Sequence, residues 1–130
     1  MVGLVIVSHS IGIAEGIKEL ARQMTPEPVP IAIAAGTNDG RLGTNAEQVT
    51  LAINEVYSNE GIIILFDLGS ALMSAELALE CLPEEKQKNI MILDAAIVEG
   101  AITAVVEISL HKNLHEIKEA LQDLCIGKIR

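Results

Sequence analysis

Three short polar segments hold the residues that could carry out chemistry in this sequence. They are Ser8-His9-Ser10, the glycine-rich segment 35–44, and Asp67-Leu68-Gly69-Ser70. A carboxylate that accepts the proton of one imidazole nitrogen fixes the ring tautomer and leaves the lone pair of the other nitrogen free. The free nitrogen can attack phosphorus, and the carboxylate stabilises the charge that the ring then gains. If His9 and Asp67 meet, the pair is suited to carry a phosphoryl group.

The elements that must position these segments alternate between strands and helices. Residues 4–7 and 62–66 are unbroken apolar runs, typical of parallel strands that are covered on both faces. Runs near residues 29–34 and 90–93 predict two further strands, and amphipathic segments lie between the runs. The pattern predicts an α/β fold in a single domain, residues 1–130. We expect a three-layer sandwich around a parallel sheet of about four strands, in the order 2-1-3-4.

This strand order would bring the candidate residues together. Right-handed crossovers place every strand-to-helix turn at one edge of the sheet, and ligands bind there, where the strand order reverses. The first and third strands are neighbours in this order, so His9 and Asp67 would face each other. His9 also precedes one helix N-terminus, and Gly69 and Ser70 stand at another. The free N–H groups of such termini suit a phosphoryl group.

The spacing of residues predicts several details of the helices. The face of the first helix is expected to comprise Ile13, Ala14, Ile17, Leu20, Ala21 and Met24. Thr44 and Glu47 have capping-box spacing for the second helix, and Asn113 with Glu116 resembles a cap for the last one. Residues 97–110 are apolar almost all round, which is typical of a helix buried in the domain or in a subunit interface.

Each candidate also has a plainer interpretation. A histidine at a strand end is more often structural than catalytic, and an aspartate before a helix is usually a cap. The coincidence of His9 and Asp67 at one sheet edge therefore favours a site, without defining its chemistry. Arg41 could contact a phosphoryl group, but a solvated loop arginine is supported at least as well. His111 and His115 are interpreted as a solvated pair, because no further metal ligands stand at a recognisable spacing.

The glycine-rich segment is not a known nucleotide-binding loop. Its three glycines serve either turns or the close approach of a phosphate, and the sequence favours neither use. The segment lacks the Gly-Lys-Thr of a Walker loop. Ser8 and Ser10 lack the surrounding Gly-x-Ser-x-Gly of a hydrolase nucleophile.

Composition excludes several classes of partner. The 130 residues carry 18 acidic and 9 basic side chains, and a net charge of −9 disfavours nucleic acid and anionic lipid. No apolar run approaches the ~18 residues of a membrane span, and the N-terminus lacks the features of a signal peptide. Cys81 and Cys125 have no metal-binding spacing and are expected to be reduced thiols. We therefore expect a cytoplasmic protein without a bound metal.

Four motifs, in the same order, resemble those of one family. They are Val5-Ile6-Val7-Ser8-His9-Ser10, then Ala34-Ala35-Gly36 with Asp39-Gly40 and Gly43-Thr44, then Asp67-Leu68-Gly69-Ser70-Ala71, and finally Val98-Glu99-Gly100-Ala101. The chain resembles the phosphotransferase subunit of the phosphoenolpyruvate-dependent dihydroxyacetone kinase, which is similar to the mannose-type enzyme IIA domain. The resemblance covers essentially the whole chain.

The resemblance implies a function. His9 would accept a phosphoryl group from the phosphocarrier protein HPr, with Asp67 as its partner, and would donate it to ADP on a separate kinase subunit. No cofactor would be bound directly to this phosphotransferase, which would carry the phosphoryl group as a covalent phosphohistidine. ADP/ATP and Mg would be held by the partner subunit, and relatives are typically homodimers. A weaker set is expected near the phosphoryl group or a partner protein: Ser8, Ser10, Gly36, Thr37, Arg41, Gly43, Thr44, Gly69 and Ser70.

The sequence also departs from the family pattern and leaves alternatives open. Thr37, Asn45 and Ala96 stand where the family pattern has glycine, serine and proline, and these departures concern the loop geometry rather than the phosphorylation site. Some relatives append HPr-like and enzyme I-like domains, and this chain is expected to depend on separate proteins instead. The nearest alternative is a mannose-type enzyme IIA domain of a sugar-transport phosphotransferase system. A non-catalytic anion-binding module and a metal-dependent hydrolase are more distant alternatives.

Overall fold

The computed structural model describes residues 1–129, so the last residue of the predicted domain, Arg130, lies outside the described residues. Strands and helices alternate along most of the chain. In chain order they are β1 (Gly3–Ser8), α1 (Ile11–Arg22), β2 (Ile31–Ala35), α2 (Ala46–Val56), β3 (Ile62–Phe66), α3 (Gly69–Glu80), the short α4 (Glu84–Gln87), β4 (Ile90–Leu93), α5 (Ile97–Ser109) and α6 (Leu114–Leu121). A 3₁₀ turn follows at Gln122–Leu124. Within residues 1–129, no helix is both long and apolar enough to cross a membrane.

The four strands form one parallel sheet in the order β2-β1-β3-β4. This confirms the predicted α/β fold and strand order. The register places Val7 of β1 opposite Phe66 of β3 and Ala34 of β2. The strand order reverses between β1 and β3, so the residues after Val7 and Phe66 meet at the switch point.

Helices cover both faces of the sheet and bury an aliphatic core. One face packs against α1, α5 and α6, through residues that include Leu4, Ile6 and Ile108. The other packs against α2 and α3, through residues that include Ile53 and Phe66. All six residues of β1 and all five of β3 are buried, and each large apolar side chain contributes about 1.5–3 kcal/mol. The two strands that carry the candidate site are therefore the most firmly held.

Some predicted details of the helices and strands are wrong. In α1, Ala14, Ile17 and Ala21 are buried, but Ile13, Leu20 and Met24 are exposed. The reason is geometric, because a narrow stripe of i, i+3 and i+7 positions reaches the sheet, and Met24 lies beyond the helix end. Strand β2 begins at residue 31 rather than 29, after a segment that contains three prolines, Pro26, Pro28 and Pro30.

The predicted cap of α2 is also wrong by one residue. Asn45, and not Thr44, is the N-cap, and its side chain accepts a hydrogen bond from the backbone N–H of Gln48 at 2.8 Å. Both residue types can cap a helix, so the spacing alone did not select the correct one. The capping box of Asn113 and Glu116 at α6 is confirmed.

Helix α5 ends at Ser109, one residue before the predicted end. Its sheet-facing residues, among them Gly100, Ala104 and Ile108, are buried. Val98, Val106 and Leu110 remain exposed on the same segment. Most of the apolar character of α5 is therefore used inside the fold.

Candidate functional site

The candidate site lies where the chain leaves β1 and β3. The backbone N–H of Asp67 donates to the carbonyl of Val7 at 3.2 Å, which extends the pairing of the two strands by one residue. This brings Ser8 and His9 beside Asp67, as the predicted strand order implied. The adjacency follows from the parallel register, since two fully buried strands cannot slip without exposing their apolar side chains.

Asp67 lies at the centre of the site and accepts four hydrogen bonds. Its Oδ1 lies 2.8 Å from Nδ1 of His9 and 2.7 Å from the backbone nitrogen of Leu68. Its Oδ2 accepts from the backbone N–H of His9 and from the hydroxyl of Ser8, both at 2.9 Å. The side chains of His9 and Asp67 are only 22% and 14% exposed. Both residues are thus held by more than their mutual contact.

The hydrogen bonds also set the charge of Asp67. Partial burial alone raises the pKa of this carboxyl, but the bonds from His9, Leu68 and Ser8 outweigh burial and lower the pKa below its ordinary value. Asp67 is therefore an acceptor at neutral pH, and a neutral His9 ring carries its proton on Nδ1. The lone pair of Nε2 is then directed away from Asp67.

The two serines that flank His9 position the turn. Ser8 is fully buried, and its Oγ accepts from the backbone N–H of Ser10 at 3.1 Å while donating to Asp67. Ser10 is the N-cap of α1 and accepts from the backbone N–H of Ile13 at 3.3 Å. Both hydroxyls are therefore engaged in shaping the backbone around His9.

The Nε2 side of His9 faces an open cavity. Nε2 lies 2.5 Å from Oγ of Ser70, in the first turn of α3. No side chain of residues 1–129 caps this helix, whose N-terminus begins at Gly69. Next to this pair is a cavity of about 730 Å³, lined by His9, Gly43, Thr44, Ser70, Met73, Ser74, Glu76, Leu77 and Glu80. A group bound to Nε2 would therefore meet a helix N-terminus and solvent-accessible space.

The glycine-rich loop closes over the turn that contains His9. The backbone N–H of Gly43 donates to the carbonyl of His9 at 2.8 Å, and that of Gly36 donates to the carbonyl of Ser8 at 3.3 Å. Thr44 joins the loop to α3, because its hydroxyl lies 2.7 Å from Oγ of Ser74. The glycines thus support the turn by backbone contacts.

Arg41 and Thr37 do not reach the cavity. Arg41 forms an ion pair with Asp39 at 2.8 Å, and its side chain is 79% exposed. Thr37 bonds within the loop, where its backbone N–H donates to the carbonyl of Arg41 at 2.9 Å. Neither is among the described residues that line the cavity.

The cavity wall formed by α3 was missed at the sequence level. Met73, Ser74 and Leu77 follow Ser70 at helical spacing, and Met73 and Leu77 are exposed apolar side chains. Helical spacing could have predicted this wall, because residues at i+3, i+4 and i+7 lie on the same helix face as Ser70. Glu76 and Glu80 make the rim of the same wall acidic.

The other titratable candidates lie away from this cavity. His115 pairs with Glu119 at 3.1 Å on the surface of α6, and His111 lies beyond the end of α5 with a φ of 60°. In the described part of the chain, no three His, Cys, Asp or Glu side chains cluster as they would around a metal ion. The two cysteines are free and exposed.

Fold and site together define an α/β protein with an imidazole–carboxylate pair at the switch point of a parallel sheet. The family model described as PTS system fructose IIA component, EIIA-man, matches residues 3–118. The chain therefore belongs to the EIIA-man family, as the resemblance of its motifs indicated.

Several relatives of known name are subunits of dihydroxyacetone kinases. The chain is 41% identical to "PEP-dependent dihydroxyacetone kinase 2, phosphoryl donor subunit DhaM" of Listeria innocua, over 95% of this chain and 99% of the relative. It is 34% identical to "PTS-dependent dihydroxyacetone kinase, phosphotransferase subunit DhaM" of Lactococcus lactis, over 97% and 98%. The Escherichia coli phosphoryl donor subunit DhaM is 46% identical, but the match spans 82% of this chain and only 23% of that longer protein.

Solved structures agree on the fold. A crystal structure of a protein of unknown function superposes with a TM-score of 0.84 at 35% identity, covering 100% of both chains. The phosphotransferase system component EIIA from Streptococcus agalactiae gives a TM-score of 0.69 at 18% identity, covering 95% of this chain and 91% of that one. The second likeness supports the fold alone.

Proposed function

We propose that this chain, acting as one domain, is a phosphohistidine carrier for a dihydroxyacetone kinase. It would accept a phosphoryl group on His9 and pass it to ADP on a separate kinase subunit. The observation that carries the proposal is the orientation of His9, whose Nδ1 is held by Asp67 while Nε2 faces the cavity beside Ser70. The relatives from Listeria innocua and Lactococcus lactis, named as phosphoryl donor or phosphotransferase subunits, support the same role.

The first chemical step is an exchange of one nitrogen–phosphorus bond for another. The lone pair of Nε2 attacks the phosphorus of the donor's phosphohistidine, the donor's N–P bond breaks, and its electron pair returns to the donor ring. His9 keeps its proton on Nδ1, where Asp67 stabilises the positive charge that the phosphorylated ring gains. In the second step, a β-phosphate oxygen of ADP attacks the same phosphorus and the electron pair returns to Nε2.

The surroundings of Nε2 compensate for the acidity of the chain. The N-terminus of α3 carries a partial positive charge, and the Ser70 hydroxyl is close enough to donate to a phosphoryl oxygen after its bond to Nε2 is replaced. A net charge of −9 repels anions at long range, so such local groups must stabilise the phosphoryl group.

We propose HPr as the phosphoryl donor and an ADP-binding kinase subunit as the acceptor. ADP/ATP and Mg would be held by that subunit, since the loop 36–44 of this chain is occupied by its own backbone contacts. A carrier must offer one site to two proteins in turn, and the open cavity next to His9 permits this. Both exchanges would take place in the cytoplasm.

Intact-mass measurement tests the carrier role. The protein is incubated with phosphoenolpyruvate, enzyme I and HPr, and we expect one acid-labile phosphoryl group per chain. His9→Ala should remain unmodified, whereas the matched control His115→Ala, at an exposed histidine, should be modified as the wild type is. ³¹P NMR of the product should identify Nε2 as the modified nitrogen. No modification of the wild type while HPr becomes phosphorylated would overturn the proposal.

The description of the family model favours one second candidate, a mannose-type enzyme IIA domain that serves sugar transport. The chemistry at His9 would be the same, and only the acceptor would differ. The phosphorylated protein is offered in parallel to ADP-loaded kinase subunits with dihydroxyacetone and to a sugar-transport IIB domain. Loss of the phosphoryl group to the kinase subunits alone supports the first proposal, and loss to the IIB domain alone supports the second.

We also propose that the chain is a homodimer. The exposed apolar side chains of Val98, Val106 and Leu110 give α5 an outer surface that a second copy could cover. Light scattering coupled to size-exclusion chromatography should give twice the chain mass, and Val106→Glu should shift the protein to the monomer. A monomeric wild type at working concentrations would disprove this assembly.

A further inference from the structure

The chain after α6 returns to the edge of the sheet that carries the candidate site. The backbone N–H of Ile126 donates to the carbonyl of Asp94 at 3.0 Å, and that of Lys128 donates to Oδ1 of Asp94 at 2.8 Å. The backbone N–H of Ile129 donates to Oδ2 of Asp94 at 3.2 Å. Asp94 directly follows β4, so these bonds fix the segment 126–129 next to the carboxyl ends of β3 and β4.

This segment places one ammonium group behind the site. Nζ of Lys128 donates to the carbonyl of Phe66 at 2.5 Å and to the carbonyl of Ala95 at 2.9 Å, and it lies 4.4 Å from the centre of the Phe66 ring. Removing a charge from water is unfavourable unless such contacts compensate for it. Burial lowers the pKa of Lys128, and the carboxylates of Asp94 and Asp67 act in the opposite direction. Two carbonyls and one aromatic ring therefore hold the ammonium group beside the peptide that precedes Asp67.

The contact with Phe66 bears directly on the orientation of Asp67. One peptide group joins Phe66 to Asp67, its N–H donates to Val7 and its carbonyl accepts from Lys128. With both ends held, the plane of this peptide is fixed, and it sets the direction in which the Asp67 side chain leaves the backbone. Lys128 does not line the cavity, and it lies outside residues 3–118, to which the family model extends.

We propose that Lys128 is a positioning residue for the His9–Asp67 pair, acting through the carbonyl of Phe66. It holds the Phe66–Asp67 peptide so that Asp67 reaches Nδ1 of His9 and fixes the ring tautomer. The alternative is that Lys128 only fastens the end of the chain to the sheet. Removing the ammonium group distinguishes these two roles, because only the positioning role predicts a change in the tautomer of the His9 ring.

The test compares Lys128→Met, which keeps the side-chain length without the charge, with Lys128→Arg, which keeps the charge. The matched control is Lys112→Met, at a lysine paired with Glu107 and remote from His9 in the chain. ¹⁵N NMR of the His9 ring reports the tautomer in the unmodified protein. We expect the Nδ1–H tautomer in the wild type and the control, a mixture of tautomers in Lys128→Met, and partial recovery in Lys128→Arg.

A second variant displaces the ammonium group of Lys128 while leaving the lysine itself unchanged. Asp94→Ala should release residues 128 and 129 and reproduce the mixed tautomers of Lys128→Met. Wild-type ring ¹⁵N shifts in both folded variants, with only a lower Tm, would overturn the proposal and leave Lys128 as an anchor.

The kinetic arm of the test rests on the proposed function. In single-turnover phosphorylation by phospho-HPr, Lys128→Met should lower the rate constant about 10–100-fold, because misplaced reacting groups react more slowly, while KM for the donor is unchanged. A rise in KM alone would place Lys128 in the docking surface instead. If neither the wild type nor any variant is phosphorylated, the proposed carrier function is wrong. The NMR result still decides the role of Lys128 in that case.

Discussion

Asp67 binds His9 twice, through Nδ1 of the ring at 2.8 Å and through the backbone N–H at 2.9 Å. One carboxylate therefore fixes both the backbone and the side chain of the residue that is proposed to react. The two contacts use different oxygens of Asp67, so the carboxylate plane and the imidazole ring are oriented together. Such preorganisation keeps Nε2 directed at the cavity before any partner arrives.

Asp67→Asn separates the charge of this carboxylate from its shape. The amide can still accept from the backbone of His9, but it no longer enforces the Nδ1–H tautomer or stabilises a phosphorylated ring. We expect the fold to be retained and the phosphorylation rate to fall by about 10²–10⁴-fold. Quench-flow phosphorylation by phospho-HPr measures the rate, and circular dichroism checks the fold. A rate equal to that of the wild type would make Asp67 a purely structural residue.

Ser8→Ala tests the buried support beneath Asp67. The change removes a donor to Oδ2 of Asp67 and leaves the backbone N–H of Ser10 without its acceptor. A buried polar group without a partner costs about 1–3 kcal/mol, so the free energy of unfolding should fall by that amount. Urea denaturation measures it. Ser109→Ala, which removes a hydroxyl bonded only within its own helix, is the control and should change stability by less than about 0.5 kcal/mol. Equal losses in both variants would contradict the role given to Ser8.

The central pair of the site could be predicted from the sequence because burial fixes it. The apolar runs at β1 and β3 are long enough to identify as strands, and their adjacency follows from the topology of small parallel sheets. Once these strands are paired in this register, His9 and Asp67 must lie side by side.

Other details of the fold and site depend on a choice between alternative contacts, and the sequence pattern does not make that choice. Thr44 and Asn45 are both helix caps by type, and only the entry path of the chain decides that Asn45 caps α2. The sequence left open whether Arg41 contacts a phosphoryl group or stays in solvent, and in the structure it is exposed and pairs with the neighbouring Asp39. The contact between Lys128 and Phe66 joins residues 62 positions apart through an irregular segment, for which no periodicity exists.

The lowered pKa of Asp67 predicts an acid-dependent loss of stability. A carboxyl with a lower pKa in the folded than in the unfolded chain binds fewer protons when folded, so it stabilises the fold above its ordinary pKa of 3.8. That contribution disappears as the pH falls through the folded-state value. From about pH 5 downward, the Tm advantage of the wild type over Asp67→Asn should shrink continuously. Differential scanning calorimetry measures this difference.

The control for this pH series is Asp39→Asn. Asp39 also has a lowered pKa, through its bonds to Thr37 and Arg41, but its side chain is exposed and its ion pair is screened by solvent. Its Tm difference from the wild type should stay near zero across the series. A difference for Asp67→Asn that does not change with pH would show that its charge is not linked to folding.

Gly36→Ala tests whether the glycine-rich loop supports the site by close packing. Gly36 has a φ of 72°, and an added Cβ would lie 2.9 Å from Cγ1 of Ile11, whereas Gly40 has a φ of 83° with nothing within 4 Å of such a Cβ. Both alanine variants bear the strain of a positive φ, about 1–2 kcal/mol, but only Gly36→Ala adds an overlap, worth about 1–3 kcal/mol more. Because the N–H of Gly36 donates to the carbonyl of Ser8, Gly36→Ala should also slow phosphorylation of His9 and Gly40→Ala should not. Urea denaturation and the phosphorylation assay measure the two effects, and identical behaviour of the variants would show that strain alone matters in this loop.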